Sequence, residues 1–282
     1  MIPLMPTPSL LDQRFAERLL RLDGGQLAVR QAGDGDAVVL LHGIGSGAAS
    51  WLHVAMGLSE RARVLAWDAP GYGQSSPLPM AAPSARDYAG RLLQALDTLG
   101  IERCVLVGHS LGALTASAFA QACPERVNRL VLISPARGYG AVPDQGRAVR
   151  AERLHNLGQL GIERMARERS ARLLSANASA EAQAWVHWNM ARLKPHGYRQ
   201  AIELLCGDDL LRYAPLAVAC QVHCGSADGI TLPEDCAALA AALAAPFDLI
   251  AGAGHACAIE QPDTVTGLLA RALDASLTGS VL

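Results

Sequence analysis

The chain has 282 residues, 51% of them hydrophobic, and a formal net charge of -2. That length suits one large α/β domain or two small ones, either with a sizeable core, and the near-neutral balance supplies neither the basic excess that nucleic acid would need nor an acidic tail. No apolar run approaches the roughly 18 residues of a membrane span, and seven scattered cysteines, an odd number, argue against a disulfide framework.

The opening "MIPLMPTPSLLDQRF" has no basic segment ahead of an unbroken apolar core, and three prolines interrupt it. It makes a poor signal peptide, and a cytoplasmic location is the expectation. Residues 17 to 31 read as a hairpin turning at Gly24-Gly25. Six apolar, β-branched runs bounded by glycine or proline follow, at 37 to 43, 63 to 71, 104 to 110, 129 to 136, 220 to 228 and 247 to 255. Runs apolar on both faces suit buried parallel strands. Helical patterns separate them: "SARDYAGRLLQALDTLG" sets Tyr88, Leu92, Leu93, Leu96 and Leu99 on one face, with Ser84 as N-cap and Gly100 as stop. "LGALTASAFAQACPERV" and "LPEDCAALAAAL" are two more helices. Strand alternating with helix predicts a mostly parallel, helix-covered sheet.

That rhythm breaks between residues 136 and 215, where "RAVRAERLHNLGQLGIERMARERSARLLS" and "SAEAQAWVHWNMARLK" are helical and no strand run occurs. Residues 137–215 therefore read as a helical cap inserted into a core built from 1–136 and 216–282. In the strand "CQVHC" the pair Cys220 and Cys224 would need further ligands to hold zinc. Alternation gives a simpler account, with Val222 and Cys224 on one face and His223 on the other.

The chemistry centres on "CVLVGHSLGA" (104 to 113). Gly-x-Ser-x-Gly is a weak signal by itself, but here it follows a strand and opens a helix, the setting of a nucleophile elbow. Gly108 and Gly112 are small enough for neighbouring backbone to pass, which exposes Ser110 and aims the Leu111 N–H at a developing oxyanion. A serine needs a base, itself oriented by a third group. His255 in "LIAGAGH" is the best placed histidine, on a glycine-rich loop past the last strand. Asp228 in "VHCGSADGI" follows the preceding strand and completes the order Ser, Asp, His; Asp235, Asp248, Asp208 and Asp209 fit less well. "LLHGIGSG" supplies the second oxyanion donor, the Ile44 N–H. Asp68 before Pro70-Gly71 suits a turn carboxylate accepting backbone hydrogens.

Taken together, "LLHGIG", "WDAPGYGQS", "VLVGHSLGA", "PERVNRLVLISPA", "GSADGI" and "GAGHACAIEQPD" resemble the α/β-hydrolase superfamily in order and spacing, over about residues 35 to 136 and 218 to 270. The resemblance implies an α/β fold with an eight-stranded, mostly parallel sheet, helices on both faces and a helical cap after strand 6. It also implies a Ser110-His255-Asp228 triad and no metal or organic cofactor. Within the superfamily the chain is similar to compact esterases, enol-lactonases, ring-cleavage-product hydrolases and cofactor-free haloperoxidase-like esterases. The elbow of ring-cleavage hydrolases usually carries asparagine where this chain has His109, a departure that favours ester or lactone chemistry. A serine at 110 argues against dehalogenases and epoxide hydrolases, which use aspartate.

The expected substrate is a small, largely apolar ester or lactone, with no nucleic acid or membrane partner. Cleavage of a carbon–carbon bond or an amide by the same triad, and a non-catalytic ligand receptor, are the alternatives. For specificity the cap offers Trp185, Trp188 and Met190 as apolar lining, although tryptophans three apart on a helix are more often packing residues. Eight arginines between 137 and 172 admit two readings, a carboxylate-recognising set or a solvated helix face.

Overall fold

The computed structural model describes residues 7–278; the ends of the chain considered above, 1–6 and 279–282, lie outside them. A hairpin opens the sheet, β1 (Ala16–Leu22) pairing antiparallel with β2 (Gly25–Ala32) around the expected glycine turn. The six apolar runs form β3 (Ala37–Leu41), β4 (Arg63–Trp67), β5 (Cys104–His109), β6 (Val127–Ile133), β7 (Cys220–Gly225) and β8 (Phe247–Ile250). They join in the order β1-β2-β4-β3-β5-β6-β7-β8. From β4 to β8 every pair is parallel, and β2 runs antiparallel to both neighbours.

Side chains of a strand alternate between faces, and here both faces are dry. All five residues of β3 are buried. Val39, Leu41, Leu106, Leu130 and Leu132 enter one core with α3 (Ala85–Thr98), α4 (Gly112–Ala122) and α8 (Pro233–Ala242). Val38, Leu40, Val105, Val107, Val131 and Ile133 enter the other with α1 (Pro8–Arg14), α2 (Leu52–Leu58) and α10 (Pro262–Thr278). A sheet covered on both faces explains why the strand runs read as continuously apolar. α3 begins as its sequence suggests: the Asp87 carboxylate accepts from the Ser84 N–H at 2.8 Å and from its hydroxyl at 2.6 Å.

Between β6 and β7 the chain is helical, with α5 (Pro143–Arg169), a short 3-10 turn at Ser170–Leu173, α6 (Ala180–Ala191) and α7 (Pro195–Gly207). α5 is not one rod. Gly161 breaks it with φ 66 and ψ 174, a conformation that side chains disfavour. The chain then folds back, because Arg169 reaches Glu152 at 3.4 Å; in a straight helix those residues would lie about 25 Å apart at 1.5 Å per residue. A four-residue α9 (Cys257–Glu260) precedes α10.

Candidate active site

Parallel strands bring their C-terminal ends, and the loops after them, to one edge of the sheet. Ser110 follows β5 there with φ 52, a left-handed conformation for a residue with a side chain, which costs about 1 kcal/mol or more. The surrounding backbone holds it. Its N–H donates to the Ile133 carbonyl at 3.0 Å, and its own carbonyl accepts from Ala113 at 3.0 Å and Ala136 at 3.1 Å. The tightness of the elbow shows at Gly112, where a Cβ would come within 2.6 Å of the Leu41 carbonyl oxygen. Gly108 is closed in likewise by Ala113 and Ala116 of α4.

Asp228 lies on the turn after β7 and His255 on the loop after β8. Both are buried. His255 Nδ1–H donates to Asp228 Oδ2 at 2.8 Å, which leaves Nε2 of the neutral ring as the proton acceptor. The other carboxylate oxygen accepts from the backbone of Ile230 at 2.8 Å and Thr231 at 3.1 Å. Burial alone would favour the protonated acid, yet the hydrogen bond and charge of His255, with the Ile230 N–H and Ser134, hold the Asp228 pKa well below the usual range. Asp228 is thus a fixed anion. The Thr231 hydroxyl lies 2.9 Å from Asp228 Oδ2 and 3.3 Å from His255 Nδ1, a contact that sequence reading missed. Behind the carboxylate, burial pushes the Cys257 thiol up to about 12, so it stays uncharged.

The loop after β3 is ordered by His42. Its Nε2 accepts from the Ala69 N–H at 3.0 Å, so its Nδ1 carries the proton and donates to the Gly43 carbonyl at 2.8 Å. Burial lowers the His42 pKa, with the charge of Asp68 opposing, which agrees with a neutral ring. In a trans peptide the N–H points opposite to the carbonyl. Fixing the Gly43 oxygen therefore turns the Ile44 N–H the other way. Tyr72 secures the next peptide by donating to the Ile44 carbonyl at 2.9 Å. Among the described residues neither the Ile44 nor the Leu111 backbone N–H has an acceptor. Asp68 does accept backbone hydrogen, from Ala48 at 2.8 Å.

Ser110, His255, Ile44 and Leu111 line one cavity of about 750 Å³, with Asp228 behind His255. The structure thus brings together all five residues singled out in the sequence. His109 lines the cavity too; its Nε2–H donates to the His255 carbonyl at 2.8 Å, and burial together with the neighbouring His255 lowers its pKa to about 3. Of the competing acids, Asp208 takes the Ala85 N–H and the Tyr213 hydroxyl, Asp209 pairs with Arg137, Asp248 is exposed on β8, and Asp235 lies exposed at the cavity wall. Of the aromatic and sulfur candidates in α6, only Met190 lines the cavity. Trp185 and Trp188 stack on one another, ring centroids 4.5 Å apart, with Arg192 over Trp188. Among the described residues no helix is long and apolar enough to cross a membrane.

The fold has counterparts among known proteins. An enol-lactonase structure from Burkholderia xenovorans LB400 is 25% identical and matches with a TM-score of 0.82 over 91% of this chain and 100% of its own. An esterase from Thermogutta terrifontis, 24% identical, shares the fold with a TM-score of 0.82 over 92% and 98% of the two chains. Among curated proteins, a 2-hydroxy-6-oxononadienedioate/2-hydroxy-6-oxononatrienedioate hydrolase from Paraburkholderia phymatum is 43% identical over 108 residues, 36% of this chain and 37% of that protein. Matches of this kind span about a third to a half of the curated relatives' length. A family model described as the alpha/beta hydrolase fold matches residues 36–256, most of the chain. With the sheet order, the elbow and this match in agreement, the chain belongs to the alpha/beta hydrolase fold family.

Proposed function

We propose that the protein is a serine hydrolase that cleaves an ester or lactone through Ser110, His255 and Asp228. The observation that carries this reading is a hydrogen-bonded His255–Asp228 pair sharing a cavity with a serine in a left-handed elbow and two acceptor-free N–H groups. His255 Nε2 takes the Ser110 hydroxyl proton as Oγ attacks the carbonyl carbon, and the carbonyl electron pair moves onto oxygen. The Ile44 and Leu111 N–H groups bind that oxyanion, and the Asp228 carboxylate stabilises the imidazolium. The imidazolium then protonates the departing alkoxide, leaving an acyl ester on Ser110. Water gives a proton to His255, attacks the acyl carbon and releases the acid, and the proton returns to Ser110.

Residues 137–215 serve in this reading as a cap, since Val149, Met165, Met190 and Leu205 from its helices wall the cavity. The enol-lactonase likeness supports lactone chemistry. Ser110→Ala should lower p-nitrophenyl ester turnover by about a thousandfold or more while leaving the circular dichroism spectrum intact. A fluorophosphonate should label Ser110 in the wild type. Unchanged turnover in the variant, or a failure of labelling, rejects the assignment.

One observation favours a second reading. The local identity of 43% to the Paraburkholderia phymatum hydrolase points to carbon–carbon cleavage of a vinylogous diketone by the same residues. A higher kcat/KM for such a diketone than for any ester or lactone in a matched panel would select it.

A further inference from the structure

The cavity wall carries four arginines, and their pairing divides them. Arg137 meets Asp209 at 3.2 Å and Arg169 meets Glu152 at 3.4 Å. Arg153 and Arg172 have no carboxylate within 4.0 Å among the described residues. Arg153 is half-buried on the first segment of α5, and its NH1 donates to the Tyr198 hydroxyl at 3.2 Å. Arg172 reaches the same cavity from the 3-10 turn that follows the second segment, so the fold-back at Gly161 is what sets both cations on one space.

A partly desolvated guanidinium without a counter-charge is unfavourable, and this one shares the cavity wall with apolar residues, including Val149 and Met165. It keeps donors in reserve. A guanidinium has five N–H bonds in a planar fork, and with one directed at Tyr198 it can still form the two parallel bonds that a carboxylate accepts. Tyr198, accepting from Arg153, has its own O–H available for the same anion. The charge count fits a monoanion. Asp235 lines the same cavity, has no ion-pair partner among the described residues, and offsets one of the two arginines that lack a carboxylate.

On the proposed serine hydrolysis, we infer that Arg153, with Tyr198 beside it and Arg172 at the rim, binds a free carboxylate, so that the substrate is an ester or lactone carrying a second, unesterified carboxyl group. Apolar residues of the same cavity wall, among them Met165, Met190 and Leu205, receive the chain that links the two ends.

The test compares p-nitrophenyl monoesters of succinate, glutarate and adipate with p-nitrophenyl esters of the monoacids of matching length. The wild type should favour the anionic member in kcat/KM by about tenfold or more for at least one length. In Arg153→Gln that ratio should fall by about tenfold, chiefly through KM for the anionic ester, and Arg153→Lys should keep part of it. Arg164→Gln removes an exposed arginine paired with Glu168 and should leave the ratio unmoved. A wild type without preference at any length, or a ratio retained in Arg153→Gln, overturns the subsite while leaving the serine reading intact.

If neither ester is turned over and Ser110 resists fluorophosphonate, the serine reading fails instead. Calorimetric titration with adipate then decides the subsite separately. Binding to the wild type that weakens about tenfold in Arg153→Gln supports it, and equal binding, or none, overturns it.

Discussion

Protonation in the site depends on which nitrogen of each histidine carries the hydrogen. His255 donates from Nδ1 to Asp228, His42 donates from Nδ1 to Gly43, and His109 donates from Nε2 to the His255 carbonyl. The pKa of about 3 at His109 has a consequence for stability. An unfolded histidine titrates near its ordinary 6.5, so between about pH 3 and 6.5 the unfolded chain binds a proton that the folded chain refuses. Stability from this residue therefore rises with pH across that window and is fully present above it. His109→Gln should reduce the pH dependence by up to one proton, about 1.4 kcal/mol per pH unit. Urea unfolding free energies at pH 5 and pH 7 would show a smaller difference in the variant. Asp228 has the carboxylate sign, its contribution lost only as pH falls below the usual range. The convergence of Ser110, Asp228 and His255 was legible in the sequence because each follows a strand within a motif. The contacts of His42 and Thr231 were not, since the first depends on an acceptor contact with Ala69 and the second on how the turn after β7 closes.

The insertion and the core are tied together at an element boundary. Asp208, just past α7, accepts the Ala85 N–H at the start of α3 at 2.8 Å and the Tyr213 hydroxyl at 2.7 Å. The first of these satisfies one of the orphan donors of the α3 N-terminus, and the anion also meets the positive end of the helix dipole. Asp208→Ala should cost about 2 kcal/mol, read as a lower urea midpoint with an unchanged slope; an unaltered midpoint would remove the tie. The start of α3 was legible through Ser84, whereas the Asp87 carboxylate that bonds to it and a cap from residue 208 were not. The break in α5 was equally hidden. "LGQLGIERM" holds two glycines, and Gly158 continues the helix while Gly161 ends it, so composition does not locate the turn. What fixes it is the antiparallel packing that pairs Glu152 with Arg169.

Across the whole molecule, one apolar cluster runs from Leu41, Leu65 and Leu106 of the sheet through Phe119 of α4 to Met165, Met190 and Ile202 of the insertion. A core shared in this way couples the two parts, and calorimetry should record a single unfolding transition. Two resolved peaks, one lost on deleting the insertion, would contradict the shared core. The arrangement along the chain also has a bearing on synthesis. Ser110 follows the fifth strand, and the base proposed for it follows the eighth, at residue 255 of 282. A ribosome that emits the chain from its N-terminus displays the serine well before the histidine that would activate it. On the proposed mechanism, reactivity at Ser110 would report that the last strand has docked, and a truncated product ending ahead of β8 would carry the elbow as an inert turn.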